Sequence, residues 1–186
     1  HAAMQGGARA GQTAVVMGAG CIGLVTMMAL KAMGVSKVYV VDIMEKRLEK
    51  AMELGADGVI NGKEKDAVEE VLRLTDGKGC DLAVETAGTE FTTVQTIHMT
   101  KKGSNIVLVG YSKSGEMTLP MSLVLDKELT FKTVFRYRHI YPMAIEAVAA
   151  GKVNLKGIAT NIFSLDEVQK AMDYSVSNKA DIVKAV

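Results

Sequence analysis

Residues 13–23 read T-A-V-V-M-G-A-G-C-I-G, and this stretch decides the fold of the chain. An apolar run, residues 14–17, is followed by three glycines in G-x-G-x-x-G spacing and by a helix-forming segment. The pattern predicts a strand, a tight turn and a helix whose first N–H groups face an anion. Gly18 would permit the turn, Gly20 would leave space for a pyrophosphate, and Gly23 would let the helix pack closely on the strand.

A second strand and an acidic residue follow at the spacing that is typical of a dinucleotide site. Residues 37–41 predict a strand that leads into Asp42, nineteen residues after Gly23. A carboxylate in that position accepts hydrogen bonds from an adenosine ribose. Strand, glycines, helix and acid together favour dinucleotide binding over a purely structural turn. A methyltransferase would place a similar turn and acid here, but it should also carry its own substrate pocket, and no such pocket is evident in the sequence.

Strands and helices alternate through the next part of the chain. The predicted helices cover residues 44–54, 64–74 and 90–99, and the predicted strands cover 58–60, 80–85 and 105–109. The last of these segments is largely apolar, as inner strands of parallel sheets are when both of their faces are buried. The predicted fold class is therefore α/β, a Rossmann-type doubly wound parallel sheet with helices on both faces and a ligand across the carboxyl ends of the strands.

The rhythm changes after Gly110, where a polar loop begins. The elements predicted beyond it are a strand at 129–135, a helix at 142–150, a helix from the capping-box residues Ser164 and Glu167 to about Tyr174, and a strand at 182–186. At the other end, residues 1–9 resemble a helix entered in mid-course, and we expect the chain to be a part of a longer protein.

The composition excludes several classes of function. The 22 basic and 21 acidic residues nearly cancel, so we expect neither nucleic acid nor a membrane surface as a partner. No apolar run reaches the length of a membrane span, and the first residues lack a secretory pattern. Cys21 and Cys80 form no C-x-x-C pair, which favours a reducing, cytoplasmic location and argues against structural zinc.

The histidines do not suggest a catalytic constellation. His1, His98 and His139 are the only imidazoles, and His98 falls within a predicted helix, where packing explains it better than catalysis. No catalytic residue and no metal ligand is therefore predicted in this chain. Two strand ends, residues 85–88 and 109–111, are candidate walls for the nicotinamide half of a dinucleotide.

A further cluster, Phe135-Arg136-Tyr137, ends the strand predicted after Gly110. In a doubly wound sheet that edge borders the ligand crevice. Arg136 and Tyr137 are accordingly predicted to meet cofactor or substrate, and a solvated strand end is the alternative at the level of the fold.

Six segments of the sequence resemble a known family. They read V-M-G-A-G-C-I-G-L-V-T, V-V-D-I-M-E-K-R-L, E-L-G-A-D, C-D-L-A-V-E-T-A-G, L-V-G-Y and V-F-R-Y-R-H-I-Y-P-M-A-I, from residue 16 to residue 145. In these segments the chain resembles the cofactor-binding domain of zinc-dependent medium-chain alcohol and polyol dehydrogenases. It is most similar to their sorbitol and xylitol dehydrogenase branch, and the resemblance extends over essentially the whole chain.

The resemblance implies a set of NAD contacts. They comprise Gly18, Gly20, Cys21, Ile22 and Gly23 at the glycine turn, Asp42 and Arg47 at the ribose, Val109, Gly110 and Tyr111 at the nicotinamide, and Phe135, Arg136 and Tyr137 along the cofactor. In polyol dehydrogenases the pair matching Arg136 and Tyr137 also reaches the sugar hydroxyls. Cys21 departs from the family, which commonly has proline at that position.

The resemblance also implies a division of labour between domains. The catalytic zinc of the family is held by a preceding domain, so we expect zinc only there. We expect residues 1–156 to form the NAD-binding Rossmann domain and residues 157–186 to return to the catalytic domain. The chain by itself should bind NAD and oxidise no polyol.

Three possibilities for function follow from the sequence. The first is the NAD-binding domain of a polyol dehydrogenase of the sorbitol/xylitol type, in which hydride passes between a secondary alcohol and NAD. The alternatives are a zinc-independent medium-chain reductase domain and a non-catalytic NAD-sensing module. The expected partner is a small polyol, and an exposed edge strand of the sheet could pair across a homo-oligomer.

Overall fold

The computed structural model describes residues 1–178 and 181–186, and its main feature is a six-stranded parallel sheet. The strands are β1 (Thr13–Met17), β2 (Lys37–Asp42), β3 (Gly58–Asn61), β4 (Cys80–Glu85), β5 (Thr100–Leu108) and β6 (Thr130–Thr133). Their order in the sheet is β3-β2-β1-β4-β5-β6, and every neighbouring pair is parallel. This order confirms the predicted Rossmann-type doubly wound sheet.

Helices cover both faces of the sheet. The helices are α1 (Ala2–Gly6), α2 (Cys21–Ala32), α3 (Glu45–Glu53), α4 (Ala67–Leu74), α5 (Glu90–Met99), α6 (Met121–Asp126), α7 (Tyr141–Ala149) and α8 (Val168–Ser177). Side chains of α1, α2 and α3 belong to one apolar cluster, and those of α4, α5 and α6 to the other. Because side chains alternate along a strand, β1 sends Ala14 and Val16 into the first cluster and Val15 and Met17 into the second.

The strand order reverses at β1, and this reversal positions the candidate site. Met17, the last residue of β1, lies beside Val41 of β2 on one side and beside Glu85 of β4 on the other. The loops that follow these three parallel strands therefore leave the same edge of the sheet and diverge to opposite faces. A crevice at such a switch point is where ligands of open α/β sheets bind.

Several predicted boundaries differ from the structure. Strand β6, predicted at residues 129–135, covers only Thr130–Thr133, so Phe135 lies beyond the strand. Two other differences have local causes. Helix α4 begins at Ala67 rather than at residue 64, because the Asp66 carboxylate accepts the N–H groups of Val68 at 2.8 Å and Glu69 at 3.0 Å as an N-cap. Strand β5 begins at Thr100 rather than at residue 105, with a register shift against β4. Its residues 101–103 are polar or glycine and are exposed, so the apolar pattern marked only its second half, where residues 106 and 107 are buried.

The C-terminal part forms a small second sheet. Strand β7 (Ala159–Asn161), which was not predicted, pairs with β8 (Lys184–Ala185), a shorter strand than the one predicted at 182–186. The predicted capping box is confirmed, since Ser164 and Glu167 cap each other, and it opens a short 3-10 turn that continues into α8.

This C-terminal part contacts the body of the fold. Ile158 lies in the apolar cluster that also contains α2, and Ile182 is buried as well. Lys46 on α3 forms an ion pair with Asp181, at 2.6 Å between Nζ and Oδ1. The assignment of residues 157–186 as a segment that returns to another domain stays a prediction.

Across residues 1–178 and 181–186, each helix is too short or too polar to span a lipid bilayer.

Candidate dinucleotide site

The glycine turn joins β1 to α2 in a conformation that its glycines make possible. Gly18 adopts φ of 101°, a left-handed value that favours glycine, and its N–H donates to the Val41 carbonyl oxygen at 2.7 Å. A Cβ atom on Gly23 would overlap the Gly18 carbonyl oxygen. The first turn of α2 therefore packs against the end of β1 at a distance that only glycine allows.

The N-terminus of α2 opens onto free space. A Cβ atom added to Gly20 would have no other atom within 4 Å, and Gly20 caps the helix without a side-chain hydrogen bond. Among the residues that the structure describes, none accepts a hydrogen bond from the N–H groups of Cys21, Ile22 or Gly23. Helix α2 has 12 residues, and its aligned peptide dipoles give its N-terminus a partial positive charge. The free N–H groups and this charge are the features that bind an anion at a helix N-terminus.

Asp42 lies at the end of β2 and fixes the glycine turn against that strand. Its Oδ2 accepts the N–H of Ala19 at 2.6 Å, and its Oδ1 accepts those of Ile43 at 2.8 Å and Met44 at 2.9 Å. The carboxylate is half-buried beside the open end of α2. An ionised carboxylate has about four acceptor positions, so Asp42 can still accept a hydroxyl group of a ligand.

Arg47, predicted at the ribose, lies on α3 next to the C-terminal part. Its Nη2 is 3.5 Å from the Ile182 carbonyl oxygen, and the neighbouring Lys46 pairs with Asp181. A cavity of about 290 Å³ lies here, lined by these side chains together with Thr160 and others. The sequence could not predict this contact, because it joins positions 135 residues apart.

The loops after β4 and β5 touch one another. The N–H groups of Val109 and Gly110 donate to the Glu85 carbonyl oxygen at 2.8 and 3.0 Å. A Cβ atom on Gly110 would overlap the Gly88 amide nitrogen, and Gly88 itself has a left-handed φ of 73°. The structure thus joins the two strand ends that were predicted as walls of one ligand position, and Tyr111 projects from them with 83% of its surface exposed.

The Glu85 side chain lies behind this wall and is almost fully buried. Only 1% of its surface is exposed. Its Oε1 accepts hydrogen bonds from the N–H groups of Ala87 at 2.8 Å and Gly88 at 3.0 Å, and from the Thr92 hydroxyl at 2.8 Å. Sequence reasoning placed residue 85 in the wall but missed that its carboxylate organises the loop. A charged residue that directly follows the apolar run at residues 82–84 was the available signal.

The predicted cluster at residues 135–137 follows β6 at the same edge of the sheet. Phe135 and Tyr137 expose 78% and 65% of their surfaces. The Arg136 guanidinium carbon lies 5.0 Å from the centre of the Phe135 ring, and Tyr137 makes an edge contact with Tyr141 at 5.7 Å between ring centres. These side chains are exposed and open to a ligand.

The side chains of residues 1–178 and 181–186 form no site that fits zinc. In that part of the chain, no three His, Cys, Asp or Glu side chains are grouped so that they could hold a metal ion. Both cysteines are free thiols.

The two thiols should differ sharply in reactivity. Burial raises the pKa of Cys80 to about 12, although the Thr100 hydroxyl nearby opposes this effect, so its reactive thiolate is scarce at neutral pH. Cys21 is half-buried at the first position of α2. We expect a thiol reagent at pH 8 to modify one cysteine in the folded chain and two after denaturation. A Cys21→Ser variant should lose the fast reaction, and rapid labelling of both thiols in the folded chain would contradict this prediction.

Comparison with known proteins places the chain in a family. Residues 21–150 match the family model described as zinc-binding dehydrogenase. The chain is 40% identical over its full length to an uncharacterised zinc-type alcohol dehydrogenase-like protein, YdjJ, of Escherichia coli K12, and it covers 53% of that protein. It is 34% identical over its full length to the sorbitol dehydrogenase of Bacillus subtilis, of which it also covers 53%.

Solved structures give the same result. An oxidoreductase/dehydrogenase of unknown specificity from Escherichia coli superimposes with a TM-score of 0.95 at 39% identity, over all of this chain and 53% of the other. A short chain alcohol dehydrogenase from Escherichia coli CFT073, complexed with the cofactor NADH, superimposes with a TM-score of 0.90 at 25% identity, over 99% of this chain and 54% of the other. The chain spans about half the length of the curated relatives it matches. It belongs to the zinc-binding dehydrogenase family.

Proposed function

We propose that this chain binds NAD and forms the cofactor-binding part of a polyol dehydrogenase of the sorbitol/xylitol type. The observation that carries the proposal is the open N-terminus of α2 beside Asp42. Unpaired N–H groups, a glycine that leaves space and a half-buried carboxylate meet there, and they match the pyrophosphate and ribose of a dinucleotide. The residues of the site fit the cofactor.

Each group of residues has a separate role in this proposal. The N–H groups of Cys21, Ile22 and Gly23 bind the pyrophosphate, with Gly18 and Gly20 shaping the turn. Asp42 accepts hydrogen bonds from the adenosine ribose, and Arg47 adds a positive charge on the same side. The proposed contacts along the nicotinamide half are Val109, Gly110, Tyr111, Phe135, Arg136 and Tyr137.

The proposed reaction assigns this chain the task of holding the cofactor. When bound, NAD supplies an acceptor for hydride, and the loops after β4 and β5 would orient it and shield one side from water. Arg136 and Tyr137, which are exposed at the end of β6, would bind hydroxyl groups of the polyol. The proposal assigns zinc to a separate domain, since no described group of side chains fits it. The similarity to sorbitol dehydrogenases supports the substrate class.

Calorimetric titration with NAD and NADP tests the proposal. The Asp42 carboxylate would repel the 2′-phosphate of NADP, and its neighbours Ile43 and Met44 carry no positive charge. The guanidinium of Arg47 contacts the Ile182 carbonyl oxygen at 3.5 Å, so it is directed toward the C-terminal part. We expect NAD to bind at least about tenfold more tightly, a difference of about 1.4 kcal/mol. Equal affinity for NADP would contradict the role of Asp42, and absence of NAD binding would contradict the function.

Activity and assembly give two further tests. We expect the chain alone to oxidise neither sorbitol nor xylitol when zinc is added, because three protein ligands are needed to hold a catalytic zinc. Turnover by the chain would contradict the proposed division between domains.

Strand β6 is an edge of the sheet, and we propose that it pairs with a second copy. A strictly monomeric mass by light scattering at high concentration would contradict that pairing.

A further inference from the structure

We propose that Glu85 is a positioning residue whose buried negative charge makes the site favour oxidised over reduced nicotinamide. This inference rests on the proposed function, because it needs the nicotinamide to lie against the loop that contains Gly110. The Glu85 carboxylate lies directly behind Gly110, in the loop after β5. It also holds the loop after β4 in place through hydrogen bonds from the N–H groups of Ala87 and Gly88.

The surroundings of Glu85 are polar but carry no positive charge. Its carboxylate receives hydrogen bonds from two backbone N–H groups, those of Ala87 and Gly88, and from the Thr92 hydroxyl. Within residues 1–178 and 181–186, no Lys, Arg or His nitrogen lies within 4.0 Å of it. The first turn of α5, which contains Thr92, offers a helix dipole that offsets the negative charge only in part.

Only the backbone of Gly110 separates the carboxylate from the proposed nicotinamide position. A Cβ atom on Gly110 would lie 2.5 Å from Glu85 Oε2, so the carboxylate packs directly behind Gly110. Among the described residues, Oε2 accepts a single hydrogen bond, from the Gly88 N–H at 3.1 Å. Because Glu85 is only 1% exposed, water screens its charge weakly. A ring that lies on Gly110 is within reach of this charge.

The charge difference between the two cofactor forms makes the effect selective. The oxidised nicotinamide ring is a cation, and the reduced ring is neutral. A buried carboxylate behind the ring attracts the first and has little effect on the second. Glu85 would therefore raise the affinity for NAD relative to NADH, while the adenosine half, which binds at the glycine turn and Asp42, would be unaffected.

The test compares three ligands on the full chain: NAD, NADH and ADP-ribose, which has no nicotinamide. Glu85→Gln keeps the shape of the side chain and removes its charge. We expect it to weaken NAD relative to NADH by about tenfold, which corresponds to about 1.4 kcal/mol, and to leave the affinity for ADP-ribose unchanged. The matched control is Glu90→Gln, because Glu90 is an exposed acid at the start of α5 and the glutamine oxygen can still accept the Thr118 N–H that Glu90 accepts at 2.8 Å. This variant should leave all three affinities unchanged.

A second variant keeps the inference testable if Glu85→Gln does not fold. Thr92→Val removes the 2.8 Å hydrogen bond that partly offsets the charge of the carboxylate, so the ratio of NAD affinity to NADH affinity should increase, and an unchanged or lower ratio would overturn the inference. An unchanged NAD-to-NADH ratio in Glu85→Gln, or an equal loss for all three ligands, would show that Glu85 is only structural and would overturn the inference. A wild-type chain that binds ADP-ribose and NAD upholds the proposed function in either case, whereas one that binds neither would overturn both.

Discussion

Gly23→Ala is expected to destabilise the chain and to abolish NAD binding. The added Cβ atom would overlap the Gly18 carbonyl oxygen, which is backbone and cannot rotate away. Overpacking typically costs about 1–3 kcal/mol, and an overlap with backbone belongs at the upper end of that range. In a chain of this size each kcal/mol lowers the melting temperature by roughly 2–4 °C, so we expect a decrease of roughly 10 °C by calorimetry. The displaced helix would no longer direct its N–H groups at the pyrophosphate.

The matched control is Gly20→Ala, three residues earlier in the same turn. Gly20 has φ of −72°, which alanine adopts readily, and no other atom lies within 4 Å of its Cβ position. This variant should melt at nearly the wild-type temperature but bind NAD more weakly, because its methyl group enters the space left for the pyrophosphate. A wild-type melting temperature for Gly23→Ala, or unchanged NAD affinity for Gly20→Ala, would contradict this account of the turn.

Asp42→Ala should weaken NAD binding and remove the preference over NADP. Two losses combine in this variant. The hydrogen bonds to the ribose disappear, and each hydrogen bond to a charged partner contributes about 1.5–3 kcal/mol. The turn also loses the bond from Ala19 to the carboxylate at 2.6 Å, so it is less well ordered before the ligand binds. We expect the dissociation constant for NAD to rise by about 10- to 100-fold in calorimetric titration.

Asp57→Ala separates the loss of a backbone hydrogen bond from the loss of a ligand contact. Asp57 also accepts a backbone N–H, that of Val38 at 2.7 Å, and it pairs with Lys31 at 2.8 Å. It precedes β3, at the opposite edge of the sheet from Asp42. This variant should lose some stability and keep its NAD affinity. If Asp42→Ala also kept its NAD affinity and its preference over NADP, the acid that binds the ribose would lie elsewhere.

The features predicted from the sequence are those encoded by neighbouring residues. The glycine spacing, the apolar strand before it and the acid after the next strand each have a local pattern, and together they predicted the sheet and the position of the turn. The capping box at Ser164 and Glu167 is local in the same sense. Strand β7 was missed because its three residues, Ala159–Asn161, carry no alternation long enough to distinguish it from a loop.

The features missed at the candidate site depend on distances through space. The bond between Asp42 and Ala19 joins residues 23 positions apart, and no residue pattern marks it. The burial of Glu85 depends on the approach of the loop after β5, which carries Gly110. The contact of Arg47 with Ile182 depends on the course of the C-terminal part across α3. The residue types at the site were thus predictable, and their mutual hydrogen bonds were not.

Because the loops after β4 and β5 are in contact, substitutions at Gly88 and Gly110 should affect one another. A Cβ atom at Gly110 would overlap the Gly88 amide, and a Cβ atom at Gly88 would lie 2.7 Å from the Tyr111 carbonyl oxygen. At each of the two positions, a side chain would therefore meet the backbone of the other loop. Once one substitution has pushed the loops apart, the second meets less steric overlap, so the two effects are not additive. A side chain at Gly88 would still carry the strain of its left-handed φ of 73°. During evolution a substitution at Gly110 therefore requires the loops after β4 and β5 to separate, and a relative that has lost this glycine should have a cofactor wall of different shape.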